Sequence, residues 1–312
     1  MSERVVDEGD GKGKFGGVTV WLNGEIVSAD EARVGIFDAG LQHGVGLFET
    51  MSATGGKVQR LREHLQRLER SACELKLTEE LHVGPLCEAV EMTVRESGID
   101  EARVRLTLTG GDLNLLRGGD GKGIEPTIFI VVQRATVYPE EFFEKGVRVM
   151  IADGRLNPFD SGAGHKTVNY WSRLRALQDA AGKKCGEAIW LSVSNHVMSG
   201  SVSNLFVVRN GEILTPIAHG EEGKGAVPMA VLPGITRGCV CEFAEARGMV
   251  VVKRMLDISD VLDAEEVFLT NSSWGVLPVI AVEGKAIGDG VVGEVAKVMR
   301  GAWLAERAGL RG

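Results

Sequence analysis

Lys166 is the side chain of this sequence best suited to covalent chemistry on a carbonyl group. It follows a glycine-rich approach at residues 162–165 (GAGH) and precedes the apolar residues Val168, Tyr170 and Trp171. A lysine that leads from a loop into a buried element can have a lowered amine pKa, and a neutral amine forms a Schiff base with a carbonyl. A surface lysine at the edge of an element explains the same local pattern more simply, and this segment alone favours that explanation.

Two further segments have the chemistry of an anion site. Residues 232–237 (LPGITR) are typical of a helix start, with Thr236 in the first turn. Free N–H groups and the positive end of the helix dipole would seat a phosphate there, although every helix has such an end. Residues 271–275 (NSSWG) follow an apolar run and offer small polar groups, including Ser272, but a plain turn explains them equally well.

Arg67 is a third candidate, on an amphipathic helix predicted at residues 62–75. Apolar residues recur there at spacings of four and three, which gives one buried stripe. Arg67 lies on the polar side of that helix among Arg60, Arg62 and Arg70. A solvated charged face is the usual explanation for such a cluster.

The elements that must position these side chains fall into two groups. The first group contains a hairpin at residues 18–27 with an Asn23-Gly24 turn, and strands at 104–108, 128–132 and 147–151. With the helix at 62–75, this predicts an α+β domain. Residues 153–165 are rich in Gly, Pro and Asp and lack an apolar period, which favours an interdomain connection.

The second group has more strands than helices. Strands are predicted at 188–193, 205–208, 213–214, 250–252 and 267–269, and helices at 168–181, after Pro233-Gly234 and near 292–306. We therefore expect a flexible tail at 1–17, a smaller N-terminal α+β domain at 18–152, a linker at 153–165 and a larger strand-rich C-terminal domain at 166–312.

Composition narrows the class of protein. A chain of 312 residues exceeds the size at which one core usually keeps growing, which favours two domains. The net charge of −8 argues against a nucleic-acid partner, and no apolar run approaches the roughly 18 residues of a membrane span. The five scattered cysteines are typical of reduced, buried thiols in a cytoplasmic protein.

Several blocks, in their order along the chain, resemble the fold-type IV pyridoxal-phosphate enzymes. That family includes branched-chain and D-amino-acid aminotransferases and aminodeoxychorismate lyase. No single block is specific, but their common order is. The blocks are the Asn23-Gly24 hairpin and residues 38–50 (DAGLQHGVGLFET), 64–68 (HLQRL), 165–170 (HKTVNY), 203–206 (SNLF), 232–237 (LPGITR) and 270–272 (TNS).

The resemblance implies a pyridoxal 5′-phosphate cofactor in the cleft between two α+β domains, and a homodimer. Lys166 matches the lysine that forms a Schiff base with the cofactor and moves the substrate's α-proton. The residues that match the family's contacts to the phosphate and the ring are Arg67, Ile235, Thr236, Ser272 and Leu232. An arginine, helix-start N–H groups and hydroxyls suit a phosphate because charge-assisted hydrogen bonds are the strong ones; Leu232 matches the apolar residue beneath the ring.

Ser199 is the main departure from the family pattern. The family has a glutamate just before the glycine that leads into Ser203-Asn204, where it keeps the pyridine nitrogen protonated; here Ser199 occupies that position. A serine can hydrogen-bond the nitrogen but cannot hold a proton on it, so the ring becomes a weaker electron sink. We expect Ser199 to meet the ring nitrogen directly or through a water.

Three functions follow from the resemblance. The first is an aminotransferase that moves an amino group from an amino acid to a 2-oxo acid. The second is a lyase similar to aminodeoxychorismate lyase, which releases pyruvate, because a missing ring-nitrogen carboxylate harms elimination less than transamination. The third is a cofactor-binding relative that has lost catalysis. In each case the partners are small molecules, not nucleic acids or membranes.

Overall fold

The computed structural model describes residues 15–112 and 126–311. The strands form a six-stranded and a nine-stranded sheet, with helices packed beside both. This confirms the predicted α+β class. The predicted flexible tail at 1–17 lies outside the described residues as far as residue 14.

The first sheet belongs to the N-terminal part of the chain. Its strands and helices are β1 (Thr19–Leu22), β2 (Glu25–Val27), α1 (Ala39–His43), β3 (Gly46–Thr54), β4 (Lys57–Val58), α2 (Leu61–Glu74), α3 (Val83–Ser97), β5 (Glu101–Thr109) and β6 (Ile128–Arg134). The strands pair antiparallel in the order β2-β1-β6-β5-β3-β4. Apolar side chains of β3, β5, β6, α2 and α3 form one core.

Local sequence signals in this part are confirmed. Asn23 and Gly24 both have positive φ, 45° and 110°, which is the backbone that a two-residue hairpin turn requires. The predicted stripe of α2 is buried at Leu65 and Leu68, and alternate residues of β5 are buried. The strand β3 was not predicted, because almost all of its residues are buried and it lacks alternation.

The second sheet belongs to the rest of the chain. Its elements are α4 (Glu141–Glu144), β7 (Val147–Leu156), α5 (Trp171–Gly182), β8 (Glu187–Ser192), β9 (Val197–Gly200), β10 (Asn204–Arg209), β11 (Glu212–Thr215), α6 (Ile235–Glu245), β12 (Val250–Lys253), α7 (Ile258–Leu262), β13 (Glu266–Asn271), β14 (Gly275–Val282), β15 (Lys285–Ala286) and α8 (Glu294–Gly309). The strand order is β12-β11-β10-β13-β14-β7-β8-β9, and β15 pairs with β14.

The strand predicted at 147–151 was assigned to the wrong sheet. As β7 it runs parallel between β14 and β8 in the second sheet, so the change of sheet falls between Arg134 and Val147. The predicted linker at 153–165 also begins inside β7, where the register shifts between Ile151 and Arg155. A short apolar run predicts a strand but not its partners, and the Asp153-Gly154 pair that suggested a linker lies in this irregular part of the strand.

The chain returns to the first sheet before α5. Phe48 N–H donates to the Lys166 carbonyl at 2.9 Å, and Val168 N–H donates to the Gly46 carbonyl at 2.9 Å. For this reason α5 begins at Trp171 rather than at 168 as predicted. Within the described ranges, no helix is long and apolar enough to cross a membrane.

Candidate active site between the two sheets

A cavity of about 330 Å³ lies between residues of the two sheets. This volume is within the range of small-molecule sites. All seven residues singled out from the sequence contribute to its lining: Arg67, Lys166, Ser199, Leu232, Ile235, Thr236 and Ser272. Their roles toward a cofactor remain predictions, but they share one space.

Lys166 is held by β3 while its amine enters the cavity. The two backbone hydrogen bonds to β3, at the Lys166 carbonyl and at the Val168 N–H, fix the main chain directly after its Cα atom. The Nζ atom lies 4.3 Å from the centre of the Phe48 ring and 5.6 Å from that of Tyr170. Burial lowers the pKa of the Lys166 amine, against the opposing charges of Tyr170 and Glu49. A larger neutral fraction makes this amine a better nucleophile and base.

Arg67 is buried, so the alternative of a solvated face is wrong for this residue. Its Nε donates to Oε1 of Glu49 at 2.9 Å, its Nη2 to Oε2 at 2.6 Å, and its Nη1 to the Pro233 carbonyl at 3.0 Å. His64 Nδ1 lies 2.7 Å from the same carboxylate. Burial alone would raise the pKa of Glu49, but the Arg67 charge and the His64 hydrogen bond bring it down to about 2.

The start of α6 is packed tightly against β10. Gly234 caps the helix with extended backbone and, as a glycine, offers no side chain to the first-turn N–H groups. A Cβ on Gly234 would lie 1.9 Å from Oδ1 of Asn204, so the loop has no space for a side chain there. Asn204 in turn donates from Nδ2 to the Leu232 carbonyl at 2.8 Å.

Hydroxyl groups collect beside this helix start. Thr236 Oγ1 and Ser272 Oγ are 3.5 Å apart, and Ser272 Oγ is 3.4 Å from Nε2 of His64. Arg67 reaches the same loop through the Pro233 carbonyl. A guanidinium, uncapped helix N–H groups and two hydroxyls are a donor set that fits a phosphate dianion.

Ser199 has a buried hydroxyl that faces no protein acceptor. Its side chain lines the cavity, and its Oγ has no hydrogen-bond partner among the described residues. A buried polar atom left unpaired costs roughly 1–3 kcal/mol, so this hydroxyl fits a polar ligand atom. The unpaired hydroxyl and the anion seat line the same cavity, which is compatible with a phosphorylated pyridine that contacts both.

Glu187 was missed by the sequence analysis. Its fully buried carboxylate accepts hydrogen bonds from the N–H groups of Ala188, Ser201 and Val202, at 2.9, 3.1 and 3.2 Å, and from the Ser203 hydroxyl at 3.1 Å. The loop that follows Ser199 therefore wraps around a carboxylate. The sequence shows no local signal for it, because Glu187 reaches this loop only through the pairing of β8 with β9.

Two arginines of β5 were also missed. Arg103 and Arg105 line the cavity, and the Arg105 guanidinium lies 3.8 Å above the Phe48 ring. Burial lowers the pKa of Arg105, and the nearby Arg103 charge adds to that effect. The strand at 104–108 was predicted, but neither arginine was singled out as a candidate site residue.

Three comparisons describe what the chain is similar to. Residues 46–282 match the family model for amino-transferase class IV. A putative branched-chain-amino-acid aminotransferase of Methanocaldococcus jannaschii is 33% identical over 284 residues, which cover 90% of this chain and 93% of that protein. The solved structure of the Escherichia coli branched-chain amino acid aminotransferase has a TM-score of 0.82 at 27% identity, covering 92% of this chain and 93% of that one.

The structural similarity extends to a cofactor complex and to an enzyme of different activity. A branched-chain amino acid aminotransferase solved with pyridoxamine 5′-phosphate has a TM-score of 0.81 at 26% identity, covering 93% of this chain and 94% of that one. The 4-amino-4-deoxychorismate lyase of Pseudomonas aeruginosa has a TM-score of 0.76 at 26% identity, covering 90% of this chain and 97% of the lyase.

Proposed function

The chain belongs to the amino-transferase class IV family, and on that premise we propose that Lys166 is the catalytic residue of a pyridoxal-phosphate-dependent transfer of an amino group from an amino acid to a 2-oxo acid. One observation carries the assignment of this site. The Lys166 amine, with its lowered pKa, shares a single cavity with a donor set suited to a phosphate.

Each group in the cavity has a distinct task in this proposal. Arg67, the N–H groups of Ile235 and Thr236, and the hydroxyl of Ser272 would hold the cofactor phosphate, and Leu232 would pack against the ring. When bound, the cofactor supplies an aldehyde that takes up the amino group and a ring that withdraws electrons from the substrate's α-carbon. The neutral Nζ of Lys166 removes the proton from that carbon and returns it to the product.

The cavity walls favour an apolar amino acid. Aromatic and aliphatic side chains line the cavity, and the rings of Phe48 and Tyr170 lie nearest the Lys166 amine. The apolar and aromatic lining residues are Phe48, Tyr138, Tyr170, Leu174 and Trp274. Arg103 and Arg105 also line the cavity, and their guanidinium groups would donate charge-assisted hydrogen bonds to a substrate carboxylate. Together with the names of the relatives, these features support a branched-chain amino acid as donor.

Covalent trapping tests the assignment of Lys166. Borohydride reduction of the purified protein should fix the cofactor to the peptide that contains Lys166, and Lys166→Ala should abolish both this label and amino transfer from isoleucine. Lys183, exposed after α5, is the matched control, and Lys183→Ala should change neither result. A label on Lys145 or Lys183 in the wild type contradicts the assignment.

A lyase activity is the second candidate, and the unpaired hydroxyl of Ser199 favours it. A serine cannot stabilise a charged pyridine nitrogen, which weakens transamination more than elimination. Release of pyruvate from 4-amino-4-deoxychorismate, without amino transfer from isoleucine, would support the lyase over the transferase.

We also infer a homodimer. The segment before β3 exposes large apolar side chains, with Ile36, Phe37 and Leu41 at 69%, 65% and 66% exposure. Such a run on one segment is typical of an interface. Light scattering should give twice the chain mass of 33.4 kDa, and a single-chain mass contradicts the dimer.

A cytoplasmic location is proposed from the five free cysteines, although Cys73 is exposed rather than buried as predicted.

A further inference from the structure

Glu74, His165 and His219 form a cluster beside Lys166, here called the His–Glu cluster. Glu74 ends α2, His165 directly precedes Lys166, and His219 lies in the loop after β11. One ligand atom from each residue lies within 4.8 Å of the others. Oε2 of Glu74 is 2.8 Å from Nε2 of His219 and 3.6 Å from Nε2 of His165.

The two imidazoles are brought together by the backbone at Gly164. This glycine has φ of +80°, and a Cβ there would lie 2.6 Å from the Cβ of His219. The close approach leaves the rings of His165 and His219 with their centres 4.6 Å apart. The cluster is therefore fixed by main-chain packing as well as by its own contacts.

His165 has a hydrogen bond on its other ring nitrogen that turns Nε2 toward the cluster. Its Nδ1 lies 3.0 Å from Ser71 Oγ, whereas Nδ1 of His219 lies 3.8 Å from Oε1 of Glu222, beyond hydrogen-bond distance. Metal-binding histidines characteristically use their other ring nitrogen as His165 does, with a polar partner that fixes the tautomer.

A hydrogen-bonded network alone does not account for the cluster. It explains the Glu74–His219 pair, but the 3.6 Å between Glu74 and His165 exceeds a normal hydrogen bond. It also leaves Nδ1 of His219 and Oε2 of Glu222 buried without hydrogen-bond partners among the described residues. Two imidazoles and one carboxylate, with the carboxylate half-exposed, resemble three protein ligands with an open position for water.

We propose that Glu74 Oε2, His165 Nε2 and His219 Nε2 bind one divalent transition-metal ion. Such an ion links the end of α2 to the loop after β11, and it holds His165 next to the lysine of the candidate active site. The site is separate from the phosphate seat formed by Arg67 and the start of α6.

Calorimetric titration with Zn²⁺ tests the proposal on cofactor-loaded protein freed of metals by a chelator. The wild type should bind one Zn²⁺ per chain, and His219→Gln and Glu74→Gln should each weaken binding at least tenfold, since each removes a ligand. His82→Ala is the control, because His82 is 70% exposed in its side chain and lies outside the cluster; its isotherm should match the wild type.

Thermal unfolding gives a second readout that does not depend on activity. Zn²⁺ should raise the melting temperature of the wild type and of His82→Ala, but not of His219→Gln, because a ligand stabilises only the state that binds it. The three proteins carry the same cofactor, so metal bound to the cofactor itself would appear equally in all of them. Absence of saturable binding in the wild type, or unchanged isotherms in both cluster variants, overturns the proposal.

Discussion

Glu49 lies one residue from the cavity wall, between Phe48 and Thr50 on β3. Because side chains alternate along a strand, its carboxylate is on the other face and meets Arg67 and His64 of α2. The Glu49 carboxylate binds the Arg67 guanidinium at Nε and Nη2. The third contact, from Nη1 to the Pro233 carbonyl, connects the guanidinium to the start of α6. Glu49, which does not line the cavity, thus orients the positively charged guanidinium of Arg67, which does.

This network makes stability depend on pH in acid. The pKa of Glu49 is about 2 in the folded protein and 4.5 ordinarily, so its contribution is present above about pH 4.5 and is lost as the pH falls toward 2. The difference corresponds to roughly 3 kcal/mol. Urea unfolding of the wild type between pH 6 and 3 should show about 2 kcal/mol of this loss.

Glu49→Gln provides the matched control for that titration. The amide keeps the size of the side chain but has no proton to take up, so the variant should be less stable at pH 6 and should lose less stability in acid. Equal losses in the two proteins would assign the acid sensitivity to other carboxylates.

Ser199 is a second single residue whose role can be tested, by placing a negative charge at its position. If the hydroxyl meets the ring nitrogen, Ser199→Glu should accelerate amino transfer from isoleucine about tenfold, equivalent to about 1.4 kcal/mol. Ser199→Gln has the same length without the charge and should not. The measurement is the single-turnover rate together with the pH dependence of the cofactor's visible absorption; equal rates for the two variants would mean that the side chain at position 199 does not act on the ring nitrogen.

Residues that carry their own local signal were found from the sequence, and residues that act through a partner were not. Lys166, Arg67 and Thr236 stand in recognisable blocks, and all three line the cavity. Glu49 and Glu187 depend on contacts 18 and 16 residues away, to Arg67 and Ser203. A buried acid in an apolar strand is visible in the sequence, but its partners depend on the packing of α2 for Glu49 and on the pairing of β8 with β9 for Glu187.

At the scale of elements, the junction of the loop at Gly234 with α6 determines the anion seat. Gly234→Ala should displace the loop, because the new Cβ would lie 1.9 Å from Asn204 Oδ1. We expect a loss of roughly 1–3 kcal/mol in unfolding free energy, as for other overpacked sites, and weaker cofactor binding. Fluorescence titration with pyridoxal phosphate and urea unfolding measure the two effects.

Gly238 offers a control within the same helix. A Cβ there meets nothing within 4 Å, so Gly238→Ala should be neutral or stabilising by up to about 1 kcal/mol. If both alanine variants bind the cofactor like the wild type, the tight packing at Gly234 has no part in the site.

Elements with a clear period were predicted well, and their neighbours in the sheets were not. The stripe of α2 gave that helix nearly its observed limits, and the alternation of β5 located the strand, although β5 begins three residues before the predicted start at 104. By contrast, β7 was recognised as a strand but placed in the wrong domain, since its partners β8 and β14 follow much later in the chain. Periodicity reports which face of an element is buried, not which element covers it.

At the scale of the whole molecule, α8 joins the end of the chain to the first sheet. Glu306 accepts from Arg60 Nη2 at 2.6 Å and from Gln59 Nε2 at 2.8 Å, while Arg307 contacts Glu101 at the start of β5. The hydrogen bond from Arg60 lowers the pKa of Glu306, although burial opposes it. Helix α8 of the C-terminal part therefore binds residues of the N-terminal part at a place away from the cavity.

Removal of the contact between Glu306 and Arg60 should lower the unfolding free energy modestly. Glu306→Ala should lower the unfolding free energy by about 1–2 kcal/mol, and the effect should shrink in high salt because the pair is partly exposed. Glu294→Ala on the same helix, where the side chain is 82% exposed, should change it by less than about 0.5 kcal/mol. Equal losses for the two variants would mean that the contact to Arg60 contributes nothing specific.

The two hydrogen bonds that join Lys166 and Val168 to β3 also make the opening of this junction measurable by hydrogen exchange. The amide protons of Phe48 and Val168 are covered only while the segment around the lysine rests on the first sheet. Their exchange with deuterated solvent therefore tracks the rate at which this junction opens, separately from unfolding of either core. A bound cofactor that bridges Lys166, Arg67 and α6 should slow exchange at these two amides before it slows exchange anywhere in β1 or β12.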